Sequence, residues 1–311
     1  MVAKAYQCKA ETLPGPGSRC QGIVRTLASA SPRTCNDGDG RPRDPRCCRG
    51  GVAPSDSAGQ LNGVSVERDL RPERMDDPAL PRNEHLAALE GLARINLWTC
   101  VSGPIYRRLR HYATALGRPL RVLDVATGSG DLPIDWAQRA RRDGIGMEIE
   151  AVDISEVALE SARQRADEAK LNVRFCQRDV LHGRLPEGAD VVTCNLFLHH
   201  LAEQDIARLL ISMQAVARHA VVICDLERSR ANLAAVWFAS RLLTRSPIVH
   251  EDAVLSVRGA LTRAEFSRLA TDALDRPVLV RGLPPCRFLA IVEGVTQPAA
   301  DLLWAQATQP A

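Results

Sequence analysis

No stretch of this chain is apolar for long enough to span a bilayer, and no apolar signal core follows Met1. No Cys-x-x-Cys pair occurs, which argues against a zinc site. Gly-x-Ser-x-Gly is absent around every serine, and with it the nucleophile elbow of the α/β-hydrolases. Charge of one sign is also lacking: 40 Lys+Arg against 37 Asp+Glu leave +3, too little to argue for nucleic acid as a partner. What remains is an ordinary globular composition, 45% hydrophobic and 25% charged over 311 residues, with room for one or two domains.

Ten cysteines are present but unevenly placed. Cys8, Cys20, Cys35, Cys47 and Cys48 crowd the first fifty residues, with no metal-ligand spacing. Cys100, Cys176, Cys194, Cys224 and Cys286 are scattered, mostly in apolar stretches, as expected of buried thiols in a reducing cytoplasm. Residues 1–63 show no periodicity and are rich in Gly, Pro, Ser, Arg and Cys; they are expected to be disordered, or a non-native extension of the reading frame. Glu11, Asp37, Asp39 and Asp44 argue against a transit peptide, which would be poor in acids. The periodic region is 64–294, and 295–311 is expected to be a frayed tail.

Within that region Asn83–Trp98 has the spacing of an amphipathic helix, with Leu86, Leu89, Leu92, Ala93 and Leu97 on one face, and a second helix is expected over Pro104–Leu116. Strands and helices then alternate. Strands are expected at 121–126, 148–153, 172–176, 189–194 and 220–224, and helices at 132–142, 156–170, 203–219 and 229–244. Ser246–Asp252 reads as a loop, and Thr262 with Glu265 as a capping box opening another helix. Two last strands, 277–280 and 287–292, flank a turn at Gly282–Pro285. Such alternation predicts a parallel, doubly wound α/β sheet with right-handed crossovers.

The most informative stretch is Arg121–Leu132: an apolar strand interrupted by Asp124, then Gly128 and Gly130, then a helix. Glycines there let a ligand approach backbone without a Cβ, beside the free N–H groups of a helix end. A dinucleotide site would want a third glycine, but the pattern is Gly128-x-Gly130-x-x-Pro133, and Asp124 would repel a pyrophosphate. The acid suits a ligand with an ammonium group and no phosphate, as in S-adenosylmethionine (SAM). Leu123–Leu132 resembles the SAM-binding turn of class I methyltransferases, in the form seen in the ubiquinone/menaquinone-biosynthesis methyltransferases, which likewise have Ala at the position of Ala126. The resemblance runs from about Val64 to Gly294.

It implies a Rossmann-like, mostly parallel seven-stranded sheet with a C-terminal antiparallel hairpin, covered by N-terminal helices. SAM is the implied cofactor. Asp124, Ala126, Gly128 and Gly130 are expected near its methionine part and Asp153 with Ile154 at the ribose. Asp179 and Val180 are expected at the adenine, with Asn195 after the fourth strand. Asn195-Leu-Phe-Leu198 differs from the Asn-Pro-Pro-aromatic of enzymes that methylate exocyclic amines, which disfavours DNA amine methylation. His199 and His200 follow, and either is a candidate to orient or deprotonate the acceptor; for each alone, helix capping or packing is the plain alternative. No third ligand beside the pair is evident in the sequence, so no metal is expected. The leading expectation is methyl transfer to oxygen or carbon of a small phenolic or quinone-like metabolite, of the kind found in secondary metabolism. An RNA or protein methyltransferase, or a non-catalytic SAM-fold binding protein, are the alternatives. Oligomeric state is not encoded legibly.

Overall fold

The computed structural model describes residues 66–77, 79–98 and 101–294; the expectations for 1–63 and 295–311 lie outside these. Seven strands form one sheet: Leu120–Val125 (β1), Met147–Asp153 (β2), Val173–Gln177 (β3), Ala189–Asn195 (β4), Ala217–Leu226 (β5), Leu279–Leu283 (β6) and Arg287–Glu293 (β7). Their order is β3-β2-β1-β4-β5-β7-β6. β1 to β5 are parallel, β7 runs antiparallel to β5, and β6 pairs antiparallel with β7. Every residue of β4 is buried, as befits a central strand covered on both faces.

The pleat sorts side chains between two layers. Leu123 and Val125 point into one apolar cluster, together with Ile206, Leu209 and Met213 of the helix Glu203–Val216 and Phe266 of the helix Arg263–Leu274. Leu120 and Val122 point into the other, with Ile105 and Leu109 of the helix Ser102–Leu116 and Trp136 of the helix Asp131–Asp143. Trp136 is fully buried, and truncating it to Ala is expected to cost about 3–5 kcal/mol. In the helix Glu156–Glu168 the small residues Ala158, Ala162 and Ala166 are buried, which lets it pack closely on the sheet. In chain order the helices are Arg82–Trp98 (α1), Ser102–Leu116 (α2), Asp131–Asp143 (α3), Glu156–Glu168 (α4), Glu203–Val216 (α5), Arg230–Leu243 (α6), Pro247–Gly259 (α7) and Arg263–Leu274 (α8).

The capping box forms as expected: Glu265 N–H donates to Thr262 Oγ1 at 3.2 Å, and Thr262 N–H to Glu265 Oε2 at 2.8 Å. The strand expected at 277–280 lies at Leu279–Leu283, so Gly282 pairs with Phe288 instead of turning, and two further segments differ from expectation. The helix expected to reach His219 stops at Val216, because Ala217 onward is captured by the ladder with β4, where Ala189 faces Ala217. Cross-strand pairing overrides a local helical pattern. Ser246–Asp252 is no loop but the start of α7, with Ser246 as N-cap and Pro247 in the first turn, an arrangement that pre-sets helical φ and satisfies an orphan N–H. Cys194 and Cys224 are buried free thiols, while Cys176 and Cys286 are half-buried.

Strand order reverses between β1 and β4, so the crevice beyond their carboxyl ends is the place for a ligand. α1, α6 and α7 line the far side of that crevice.

Candidate active site

Two left-handed residues flank the reversal point. Ala126, just past β1, has φ +56°, and Leu196, just past β4, has φ +53°. Each costs about 1–2 kcal/mol for a residue with a Cβ, a strain that clusters at functional sites. The two glycines between β1 and α3 serve different ends. At Gly130 a Cβ would lie 2.8 Å from Phe175, so its absence permits packing. At Gly128, with φ +58°, a Cβ would meet no protein atom within 4 Å, and the residue faces the open space of the cavity.

Asp124 is 2% exposed and stands behind the cavity wall. It accepts hydrogen bonds from Thr193 Oγ1 at 2.6 Å and Asn195 Nδ2 at 3.1 Å. Burial pushes its pKa up to about 6 despite those donors. Asn195 relays the acid to the cavity: it lines the space, and its Oδ1 is buried without a partner. Asp153, also buried, ties β2 to the glycine turn. Its Oδ2 accepts from Gly128 N–H and its Oδ1 from Ser155 N–H, both at 2.8 Å, and burial raises its pKa. Asp179 Oδ1 accepts from the N–H groups of Leu181 and His182, closing its own turn.

Of the residues expected from sequence, Ala126, Gly128, Asn195, His199 and His200 line one cavity of about 460 Å³. Asp124, Gly130, Asp153, Ile154, Asp179 and Val180 do not line it; Asp124 and Asp153 reach it only through their bonds to Asn195 and Gly128. Leu89, Leu92, Leu226 and Val236 give the cavity an apolar side, and its size is that of a small-molecule site. A second concavity, around Arg121, Glu148 and Arg174, lies at the opposite ends of the strands and holds none of these groups.

The polar end of the cavity is built by tertiary contacts. Asp225, at the end of β5, accepts from Leu198 N–H at 2.6 Å, and its other oxygen lies 2.6 Å from His199 Nδ1. Burial lowers the pKa of His199, but the charge and hydrogen bond of Asp225, with the nearby Glu73 charge, together more than offset this and the net shift is upward. Asp225 is correspondingly held below the usual carboxylate range, because His199 outweighs its burial. His200, by contrast, is pushed down to about 4 by burial.

Glu73 was not foreseen. It comes from the polar segment 71–77 before α1, the entry to the domain, and its Oε1 accepts from Ser256 Oγ at 2.5 Å and lies 3.8 Å from His200 Nδ1. Ligand-type atoms of Glu73, His199 and His200 all fall within 4.8 Å of one another, so the structure supplies the third group that the sequence did not show beside the histidines. The set reads equally as two carboxylate–imidazole pairs, His199 with Asp225 and His200 with Glu73. No periodicity marks Glu73 or Ser256; only the fold brings them here. Two arginines hold the entry segment in place. Arg68 donates to the carbonyls of Gly259 and Leu201, and Arg228 to that of Val66 and to Glu265. Gly259 is a close-approach position, where a Cβ would lie 2.6 Å from the His199 carbonyl oxygen.

Residues 122–220 match a family profile described as a methyltransferase domain. Demethylmenaquinone methyltransferase of Deinococcus radiodurans is 38% identical over 86 residues, covering 27% of this chain and 34% of that protein. The enzyme of the same name from Thermus thermophilus is 37% identical over 90 residues, covering 29% of this chain and 39% of that one. The matches thus span little more than a third of these relatives. The plantazolicin methyltransferase BpumL, solved with a desmethylplantazolicin analogue and S-adenosylhomocysteine (SAH), superposes with a TM-score of 0.51 at 12% identity, over 66% of this chain and 90% of that one.

The residues fit SAM. The orphan Asn195 Oδ1, backed by the Asp124 carboxylate, offers an acceptor to an ammonium group, and the space at Gly128 admits a ligand against the backbone. Fold, turn and profile agree: residues 122–220 carry a methyltransferase domain, and there the chain is similar to demethylmenaquinone methyltransferases.

Proposed function

We propose that this chain transfers the methyl group of SAM to an oxygen or carbon of a small phenolic or quinone-like metabolite, with His199 taking the acceptor's proton. The observation that carries this reading is the His199–Asp225 pair, buried at 2.6 Å and opening onto the same cavity as the glycine turn. Bound SAM supplies a methyl group already activated on a sulfonium. The chain's own residues are left to align the acceptor, exclude water and hold a proton.

Asp225 fixes the His199 ring through Nδ1, which directs Nε2 away from that contact as the proton acceptor and stabilises the imidazolium that forms. His200 stays neutral near pH 7, since its pKa is pushed down to about 4. The apolar walls suit the body of an aromatic ring. Phe197 and Leu198, which stand where amine-methylating enzymes have Pro and an aromatic residue, are buried at 2% exposure and offer no platform for stacking a base or amide. Two of the curated relatives are demethylmenaquinone methyltransferases, which agrees with a quinone-like acceptor, while a third, 35% identical over 92 residues, is a release factor glutamine methyltransferase of Bacillus subtilis. Among the described residues no helix is long and apolar enough to cross a membrane, in keeping with the cytoplasmic location we favour.

The test is methyl incorporation from labelled SAM into a panel of phenols, quinols and a metabolite extract. His199→Ala should keep SAM affinity and lower turnover by roughly 10²–10⁴-fold, with partial recovery at high pH where the acceptor ionises unaided. Wild-type turnover in a stable His199→Ala protein would remove the base. Turnover lost on dialysis against a chelator and restored by a divalent cation would replace it with a metal held by Glu73, His199 and His200.

A further inference from the structure

Arg287, the first residue of β7, is 5% exposed, yet its side chain lines the cavity that holds Asn195 and His199. A guanidinium offers five N–H donors. Here one of them, on Nη1, reaches the Pro285 carbonyl at 3.4 Å, and Nε is buried with no acceptor at all. No carboxylate of the described residues lies within 4.0 Å of it. Asp225 is close enough to be felt electrostatically, but its oxygens are committed to His199 and to the N–H groups of Leu198 and Leu226.

Arg228 shows how this fold satisfies a buried arginine. At 4% exposure it donates to two carbonyls, of Val66 and Ala260, and to the Glu265 carboxylate. Arg287 has no such set. A buried charge without a counter-charge is costly, and is retained where a ligand completes it. A planar fork facing an apolar-walled cavity matches a carboxylate in bidentate fashion.

We propose that Arg287 is a carboxylate-binding residue of this cavity, completing its ion pair with the bound ligand. The proposal rests on the reading of the cavity as a methyltransferase site. Two ligands can bring the carboxylate: SAM, through its methionine part, or an acceptor that is an aromatic acid.

Calorimetry with two probe pairs separates them. The first pair is SAH and its decarboxylated analogue; the second, added with SAH present, is 4-hydroxybenzoate and its methyl ester. The wild-type protein should prefer the carboxylate member of one pair by roughly 10–100-fold. Arg287→Met should erase that preference while leaving affinity for the uncharged member nearly unchanged, and Arg287→Lys should retain part of it. Erasure in the first pair assigns the residue to SAM, and in the second to the acceptor. The wild-type comparison does not depend on a variant folding. A wild-type protein with no carboxylate preference in either pair, or a folded Arg287→Met protein that keeps it, overturns the proposal. Absence of SAH binding overturns the cofactor reading instead, and Arg287 is then judged on the benzoate pair alone.

Discussion

His199 Nδ1 lies 2.6 Å from Asp225 Oδ1, joining the turn after β4 to the end of β5, and both side chains are buried. The pair sets a pH dependence whose sign can be worked out. The folded pKa of His199 is raised above 6.5, so its contribution to stability is complete below 6.5 and is lost as pH rises through the raised value. That of Asp225 is lowered below 3.8, so its contribution is present above 3.8 and is lost as pH falls through the lowered value. A base must be neutral, so kcat/KM should climb as pH rises through the His199 pKa. Asp225→Asn should leave burial opposed mainly by the Glu73 charge, lower that pKa and move the rising limb to lower pH. Imidazole titration by NMR, with a pH–rate profile, checks both; an unmoved His199 titration in the variant would refute the coupling.

Asp124 trades stability for binding. Its folded pKa, about 6 against 3.8, means that the folded state holds the proton more tightly and that stability falls as pH rises from about 4 to 6. Asp124→Asn should therefore stabilise the ligand-free protein near pH 7 by about 1–3 kcal/mol, while still accepting from Thr193 and Asn195 through one oxygen. Affinity for SAM should drop at the same time, since the charge opposite the ammonium is gone. Melting curves and calorimetry on one preparation decide it, and a variant that is less stable but binds normally contradicts the assignment.

Asp153 should behave differently, because its carboxylate is engaged by the N–H groups of Gly128 and Ser155 before any ligand arrives. Asp153→Ala leaves two buried donors unmatched and should cost about 2–4 kcal/mol of stability, together with about 1.5–3 kcal/mol of SAM affinity. Urea unfolding separates the two effects. Lost affinity at unchanged stability would mean that the acid acts on the ligand alone.

The entry segment is the fourth case. A chain beginning at Val64 should melt like the full chain, since residues 1–63 carry no core pattern. One beginning at Ala79 lacks Arg68 and Glu73, and also the N–H groups of Arg74 and Met75 that Asp252 accepts at 2.8 and 2.9 Å. Burial already drives the Asp252 pKa up to about 6, so losing those donors should be felt. The shorter chain should melt roughly 5–10 °C lower and lose turnover. Equal melting points would show that this segment does not brace the site.

Much of the fold was legible from local pattern. The strand–glycine–helix unit at 121–132, the α/β alternation and the capping box at Thr262 are short-range signals that the chain honours. The end of α5 was not legible, because pairing of Ala217 with Ala189 is a contact between strands distant in sequence. α7 was misread even though Ser246 and Pro247 form a helix start, since the polar run His250–Asp252 masked it; Asp252 is polar because it accepts from the entry segment.

The division at the site follows the same physics. Sequence by itself determined that a glycine turn follows β1, that acids stand at or near strand ends, and that two histidines follow β4. These are properties of one strand and its next turn. Tertiary structure decided what each of them does. It placed Asp124 behind Asn195, turned Asp153 onto the backbone of Gly128, gave His199 to Asp225, and carried Glu73 across more than a hundred residues to His200. Burial and partner, not residue type, set the charge on each of these groups. Both are fixed only when distant segments close on one another.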